Sequence, residues 1–186
     1  MTQYARPNAD VSAGNWTPST GSDLYAMIDE ASPNDSDFIS VDDSGGSTET
    51  CQVDLSSVTD PVASNLHVVT VRASEASGMS VITLDVTLKQ GATTIASNTF
   101  STLTGSATDY TFTLSSAEAN SITNYGALSL VFAATDSMSM MTTTTIYQAF
   151  FECGDVPAPT GIAGIAYSPA RAAASGAAYG TTQRIR

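Results

Sequence analysis

An alternating stretch near the middle of the chain, "MSVITLDVTLK" (79–89), constrains the fold more than any other feature. Apolar residues recur at every second position from Ile82 to Leu88, and polar residues, among them Asp85 and Lys89, occupy the positions between them. A period of two places successive side chains on opposite faces of a β-strand. The segment therefore predicts a strand with one buried face and one solvent-exposed face.

Seven further segments rich in Val, Ile, Thr, Phe and Tyr, separated by Gly, Ser, Asp and Asn clusters, repeat this signal. The eight predicted strands are residues 37–41, 50–58, 65–74, 79–89, 93–100, 109–115, 127–135 and 144–153. Several of them offer one apolar side to a shared core, as two packed antiparallel sheets do. We therefore expect an all-β fold, an antiparallel, jelly-roll-like β-sandwich, with a seven-stranded immunoglobulin-like sandwich as the alternative.

Two connections between these strands have local signals of their own. The "KQG" at 89–91 predicts a tight turn and hence a hairpin between the fourth and fifth strands. Between the sixth and seventh strands, Ser115 and Glu118 stand at capping-box spacing and predict a single helical turn. That turn would cross one end of the sandwich.

The chain divides into one domain and two flanking segments. Residues 1–34 contain "RPNADVSAGNWTPSTGS", which is typical of turns, and then Leu24, Met27 and Ile28 at helical spacing behind Ser22 or Asp23 as caps. This predicts an extended N-terminal arm with one short helix, followed by the sandwich at 35–155. Residues 156–186, rich in Ala and Gly, cannot build a core and predict an extended C-terminal arm.

Charge is distributed unevenly along the 186 residues, whose net charge is −12. Residues 1–155 hold all 18 acids and only Arg6, Arg72 and Lys89 as bases, which gives −15, whereas the remainder holds three arginines and no acid, which gives +3. Nucleic-acid binding needs clustered Lys and Arg, so an acidic body argues against that partner. The start of the chain has no secretory signal and no segment is apolar enough to span a membrane, which predicts synthesis in the cytoplasm and no membrane partner.

The last predicted strand is apolar on both sides. Alternation places Tyr147 and Phe151 on one face and Ile146, Gln148 and Phe150 on the other. Either the N-terminal arm covers the second face, or a subunit interface does. Two further groups are candidates for contact with a partner protein. The loop before this strand offers the flexible side chains of Met138, Met140 and Met141. The C-terminal arm offers large side chains that could fill pockets and arginines that could pair with carboxylates: Tyr167, Tyr179, Ile185, Arg171, Arg184 and Arg186.

Signals for catalysis and cofactors are weak. The single histidine, His67, lies on the apolar face of a strand and is interpreted as structural. The sequence has no G-x-S-x-G, P-loop or strand-associated G-x-G-x-x-G motif, and we predict no enzyme and no cofactor. Paired carboxylates for hydrolysis of a polysaccharide stay possible, because two acids that meet in a cleft leave no trace in one sequence.

Two other features could carry chemistry. The loop "DSDFISVDDSGGSTE" (35–49) offers Asp35, Asp37, Asp42 and Asp43 as weak calcium candidates, although it matches no EF-hand. Cys51 and Cys153 are interpreted as buried thiols, with a disulfide between them as the alternative.

The opening "RPNADVSAGNWTPSTGSDLYAMIDEASPNDSDFI", followed by "VVTVRAS", "SVITLDVTLKQGATTIAS", "DYTFTLSSAEANSITNYGALSLVFAAT" and "IYQAFFE", resembles the small β-sandwich virion proteins of tailed bacteriophages, above all capsid decoration or cement proteins. The resemblance implies a protein of the virion that forms a dimer or trimer, coats the outer capsid surface and joins neighbouring major capsid subunits through extended arms. The alternatives are a phage tail or fibre module that binds host glycans and, second, a polysaccharide hydrolase.

Overall fold

The computed structural model describes residues 2–43, 46–76, 82–136 and 142–155. Within them lie eleven strands and two short helices. The strands are β1 Thr2–Ala5, β2 Pro7–Ser12, β3 Thr17–Pro18, β4 Ile39–Asp43, β5 Thr48–Leu55, β6 Val68–Glu75, β7 Ile82–Gln90, β8 Thr93–Phe100, β9 Thr108–Thr113, β10 Leu128–Asp136 and β11 Thr142–Gly154. A 3₁₀ helix covers Tyr25–Met27, and helix α1 covers Ser116–Ser121.

The strands form two antiparallel sheets. Sheet A has the order β3-β4-β11-β6-β9, with β1 also pairing with β11, and sheet B has the order β2-β5-β10-β7-β8. Neighbours such as β11 and β6 are far apart in the chain, as jelly-roll connections require. The predicted antiparallel β-sandwich is confirmed. No described helix has the length and apolar character needed to cross a membrane.

The core lies between the inner faces of the two sheets. In β7, the alternation from Ile82 to Leu88 faces inward, and all four of its apolar side chains are fully buried. Their neighbours in β10 include Leu130 and Phe132, which are buried to the same degree. The hairpin predicted at "KQG" is confirmed, since β7 and β8 pair around a turn at Gly91, whose φ of 56° suits glycine.

Residues 2–5, 7–12 and 17–18, within the segment predicted as an N-terminal arm, form the strands β1, β2 and β3 of the two sheets. β1 pairs with β11 in sheet A, and β2 pairs with β5 in sheet B, so the chain changes sheets at Arg6. There the Arg6 backbone N–H donates to Ser56 Oγ at 2.9 Å, and the Ser56 N–H donates to the Arg6 carbonyl at 2.7 Å. Trp16 is buried and donates from its indole N–H to the Glu49 carbonyl at 3.2 Å.

Both predicted helical turns are present, with one difference in capping. The capping box of Ser115 and Glu118 opens α1 as predicted. The 3₁₀ helix has no cap from its own segment. Instead the Asp10 carboxylate of β2 accepts from the backbone N–H groups of Leu24 and Tyr25, both at 2.8 Å. A side chain distant in sequence therefore satisfies the free donors at this helix start.

A β-bulge in β11 corrects the predicted faces of that strand. The pairing of β11 with β6 shifts register between Ile146 and Gln148, so Tyr147 is the extra residue. Ile146 consequently points into the core with Phe151 and is fully buried, while Tyr147 and Phe150 lie on the outer face. An inserted residue reverses the alternation beyond it, which simple counting by two cannot detect.

Candidate functional site

A groove lies on the outer face of sheet A. It has a volume of about 530 Å³ and is open to solvent along one side. Its lining comes from β1, β6, β9, β11 and the segment that follows the 3₁₀ helix. The lining residues are Tyr4, Arg6, Ala31, Pro33, Thr70, Asp109, Gln148 and Phe150.

The bulge in β11 explains why a groove forms here. On this edge of β11, pairing with β4 ends at Ile146, and pairing with β1 begins only at Phe151, so the residues between them have no strand beside them. The segment after the 3₁₀ helix fills this gap: the Ala149 N–H donates to the Ile28 carbonyl at 3.0 Å, and Gln148 Nε2 donates to the Glu30 carbonyl at 2.6 Å. Beyond this point Ala31 and Pro33 form one wall of the groove.

Two aromatic rings and a guanidinium form one end of the groove. The Tyr4 and Phe150 rings meet edge to face, with centroids 5.6 Å apart and an interplanar angle of 74°. The Arg6 guanidinium lies 5.4 Å from the Tyr4 centroid and 5.2 Å from that of Phe150, and it also donates to the Glu30 carbonyl. Tyr4 is 45% exposed, so much of its ring is open to a ligand.

The other end of the groove is polar and held by Arg72. Its guanidinium binds the Asp35 carboxylate at 2.7 and 2.8 Å and the Asp109 carboxylate at 3.1 Å. The hydrogen bonds from Arg72 lower the pKa of Asp35, and the same bonds raise the pKa of Arg72. Arg72 therefore joins the 31–35 wall to β9 across the sheet and holds the Asp109 carboxylate beside the groove.

Of the two predicted contact residues that the structure describes, Phe150 lines this groove and Ile146 does not. Ile146 is buried in the core, so it is not an interface residue. Met138, Met140 and Met141 lie outside the described residues, as do Tyr167, Arg171, Tyr179, Arg184, Ile185 and Arg186.

The four weak calcium candidates do not share one set of partners. Asp35 binds Arg72, Asp37 accepts from Asn34 Nδ2 at 2.7 Å, and Asp42 accepts from Thr143 Oγ1 at 2.6 Å. Asp43 ends β4, and its side chain lies outside the description. Across the described residues, no group of three or more His, Cys, Asp or Glu side chains is placed to hold a metal ion.

Both cysteines are free and buried, so the alternative of a disulfide is not what the structure shows. Cys51 belongs to sheet B and Cys153 to sheet A. Burial raises the pKa of both thiols, that of Cys153 to about 11, and such thiols are poor nucleophiles. They act as small apolar core residues, in agreement with the interpretation of both cysteines as buried thiols.

His67 has the structural surroundings that its position predicted. It is 1% exposed, Nδ1 donates to the Asn65 carbonyl at 2.9 Å, and Nε2 accepts from the Tyr125 hydroxyl at 2.7 Å. Burial raises the pKa of Tyr125 to about 12, which keeps it a hydroxyl donor. Neither ring is among the residues that line the groove.

Comparisons with known proteins establish no family. No family model and no curated protein sequence matches the chain. Similar solved structures include TmCBM61 in complex with β-1,4-galactotriose, with 5% identity and a TM-score of 0.42, where the match covers 66% of this chain and 73% of that one. The Stig cyclase Fisc from Fischerella sp. TAU has 13% identity and a TM-score of 0.45, covering 84% of this chain and 75% of the other. The CBM36-1 domain of a xylanase from the hindgut metagenome of Trinervitermes trinervoides has 10% identity and a TM-score of 0.36, covering 85% and 100%. With TM-scores this low, these likenesses carry no argument about function.

Proposed function

We propose that the sandwich is a non-catalytic carbohydrate-binding module and that the groove on sheet A is its binding site. The observation that carries this proposal is the composition of the groove: a half-exposed Tyr4 and the partly buried Phe150 at one end, Thr70 directly opposite Phe150, and Asp109 at the other end. Ligand sites of proteins commonly combine apolar lining with a few fixed polar groups.

A sugar ring matches both ends of such a groove. The C–H groups on one side of a pyranose are apolar and pack against an aromatic ring, whose amphipathic character suits a wet surface. The hydroxyls at its edge need both donors and acceptors, which the Thr70 hydroxyl, the Asp109 carboxylate and the Arg6 guanidinium supply together.

Hydrolysis is less well supported by the same residues. Glycoside hydrolysis needs two carboxyl groups, one on each side of the scissile bond. Asp109 is the single carboxylate among the lining residues that the structure describes, and Arg72 binds it at 3.1 Å. Bound to Arg72 in this way, the Asp109 carboxylate can serve as a hydrogen-bond acceptor for a sugar.

The test of this proposal removes the aromatic end of the groove. We expect Tyr4→Ala to lower affinity for the preferred oligosaccharide at least about tenfold, since a buried aromatic contact at the centre of an interface is commonly worth 1.4 kcal/mol or more. Tyr4→Phe keeps the ring and should keep most of the affinity. The ligand is first selected on an array of bacterial-surface and plant oligosaccharides, and affinity is then measured by isothermal titration calorimetry. An array without any bound glycan, or equal affinity for both variants, would count against the groove.

A second candidate function is decoration of a bacteriophage capsid. The observation that favours it is the charge contrast between residues 1–155, at −15, and residues 156–186, at +3. A basic segment poor in large side chains suits a strap that pairs with carboxylates on a sister copy or on a major capsid subunit. In this role the protein would be a structural component of the virion, made in the host cytoplasm and working as a dimer or trimer.

This candidate has its own measurement. Purified protein mixed with capsids that lack it should bind to them and raise the temperature at which they disrupt. A chain ending at Asp155 should keep the folded sandwich, because the described core uses no later residue, but bind capsids more weakly. Higher salt should weaken binding of the full chain if the arginines carry it. Equal capsid binding by the full and shortened chains would reject a role for the strap.

A further inference from the structure

Two acidic side chains are buried at the end of the sandwich where β6 and β10 finish. Glu75 continues the inward-facing alternation of β6 after Ala73, and Asp136 continues that of β10 after Ala134. Glu75 is 8% exposed and Asp136 is 0% exposed. One residue belongs to sheet A and the other to sheet B, and both face the interior at the same end of the sandwich, where the charge of Asp136 acts on Glu75.

Two oxygen atoms in this space have no hydrogen-bond partner. The Glu75 carboxylate accepts from the Ile82 backbone N–H, but its Oε2 is buried and unpartnered. Thr144 is directly opposite Glu75 in the pairing of β11 with β6, and its fully buried Oγ1 is also unpartnered. The Cβ atoms of residues that are opposite in an antiparallel pair lie about 4.5–5.5 Å apart, so this hydroxyl stands beside the carboxylate.

Burial of Glu75 near Asp136 disfavours the ionised form of Glu75 unless a cation binds beside it. Burial raises the pKa of Glu75, and the negative charge of Asp136 raises it further. Within the described ranges, the salt bridges involve Arg72 on the outer face, and none reaches Glu75. A buried carboxylate that keeps one oxygen unpartnered and has no counter-charge destabilises the folded state, and proteins usually avoid that cost by pairing the charge or by binding a metal ion.

We propose that Glu75, Asp136 and Thr144 form a binding site for a hard divalent cation, with calcium as the preferred ion. All the donors are oxygens, which excludes the thiolate and imidazole chemistry that selects softer metals. Calcium accepts irregular sets of six to eight oxygens and completes them with water or backbone carbonyls, whereas magnesium demands a regular octahedron. The ion would join the last turns of the two sheets and close this end of the sandwich, independently of any ligand in the groove.

The test compares thermal unfolding of the full chain in EDTA and in calcium chloride. At about 100 times the dissociation constant, a single bound ion should raise the unfolding midpoint by about 5–10 °C. A concentration of about 10 mM reaches that ratio for a dissociation constant of about 0.1 mM, and it is still about tenfold above the weakest protein calcium sites, for which a rise of about 3–6 °C is expected. Isothermal titration should give one calcium per chain, with weaker binding of magnesium.

Glu75→Gln is the decisive variant because it keeps the shape and removes one charge. It should abolish the midpoint rise with calcium, while its midpoint in EDTA should be equal to or above that of the natural chain, since a neutral amide relieves repulsion from Asp136. The matched control is Asp85→Asn, which removes one charge from the outer face of sheet B and should leave the calcium response intact. If Glu75→Gln fails to fold, Thr144→Val serves instead and should weaken calcium binding.

Three outcomes would overturn the proposal: the same midpoint in calcium and EDTA for the natural chain, a full calcium response in Glu75→Gln, or loss of the response in Asp85→Asn. The last would mean that calcium acts on general surface charge.

Discussion

Phe151→Ala is expected to lower the free energy of unfolding by about 3–5 kcal/mol, because deletion of a large core side chain loses its burial and leaves a cavity. Phe151 has no exposed surface and lies in β11, the strand that pairs with β1, β4 and β6. Its ring centroid is 5.7 Å from that of His67 and 6.4 Å from that of Tyr125. The substitution would therefore also loosen the buried hydrogen bond between those two side chains.

The measurement is urea denaturation followed by circular dichroism, supported by thermal unfolding. For a domain of this size, such a loss corresponds to a midpoint lower by about 6–20 °C. Phe112→Ala is the control, because Phe112 lies on the edge strand β9 and is only partly buried. Its cost should be clearly smaller. If the two variants lose equal stability, then β11 is not the centre of the core.

The parts of the fold that could be predicted are those in which one face of a strand is buried. The alternation from Ile82 to Leu88 specifies which side of β7 points inward, and a shift by one residue would expose all four apolar side chains. The capping box of Ser115 and Glu118 was equally readable, because its partners are three residues apart and need no tertiary context.

The N-terminal strands carry no such signal. β2 contains Pro7, Asn8 and Asp10, which are typical of turns. It lies at the edge of sheet B and starts with its proline, a position where a missing N–H does no harm to the sheet. Its place is fixed by backbone pairing with β5 and by the bond from Asp10 to the 3₁₀ helix, and neither depends on a periodic pattern of side chains.

The groove was hidden for a similar reason. Tyr4 and Phe150 come from opposite ends of the chain and meet because β1 pairs with β11. Arg72 meets Asp109 because β6 pairs with β9. Pairing between strands that are not consecutive depends on the whole topology, which one sequence does not reveal. The sequence signal for the groove was the second apolar face of the last predicted strand. Strict alternation put both Ile146 and Phe150 on that face, and because it could not detect the bulge, it was correct for Phe150 and wrong for Ile146.

Gly14→Ala tests whether the first residues are part of the sandwich, and we expect it to lower the free energy of unfolding by at least about 3 kcal/mol. Gly14 has a φ of 56°, and a Cβ added there would lie 2.1 Å from the Thr50 backbone carbonyl oxygen. No rotamer relieves a clash between Cβ and backbone. Either the turn or β5 must move, and the bond from the Trp16 indole to the neighbouring Glu49 carbonyl would be strained as a result.

Gly21→Ala provides the matched control, because it has the same kind of backbone without the clash. Its φ is 73°, and nothing lies within 4 Å of the added Cβ. It should therefore cost only the penalty of a left-handed conformation, about 1–2 kcal/mol. Urea denaturation of both variants separates conformational strain from the contact with β5. A free N-terminal arm could move away from Thr50 and avoid the clash. Equal and small losses of unfolding free energy in the two variants would therefore mean that this segment does not pack on sheet B. A much larger loss in Gly14→Ala than in Gly21→Ala would show that it does.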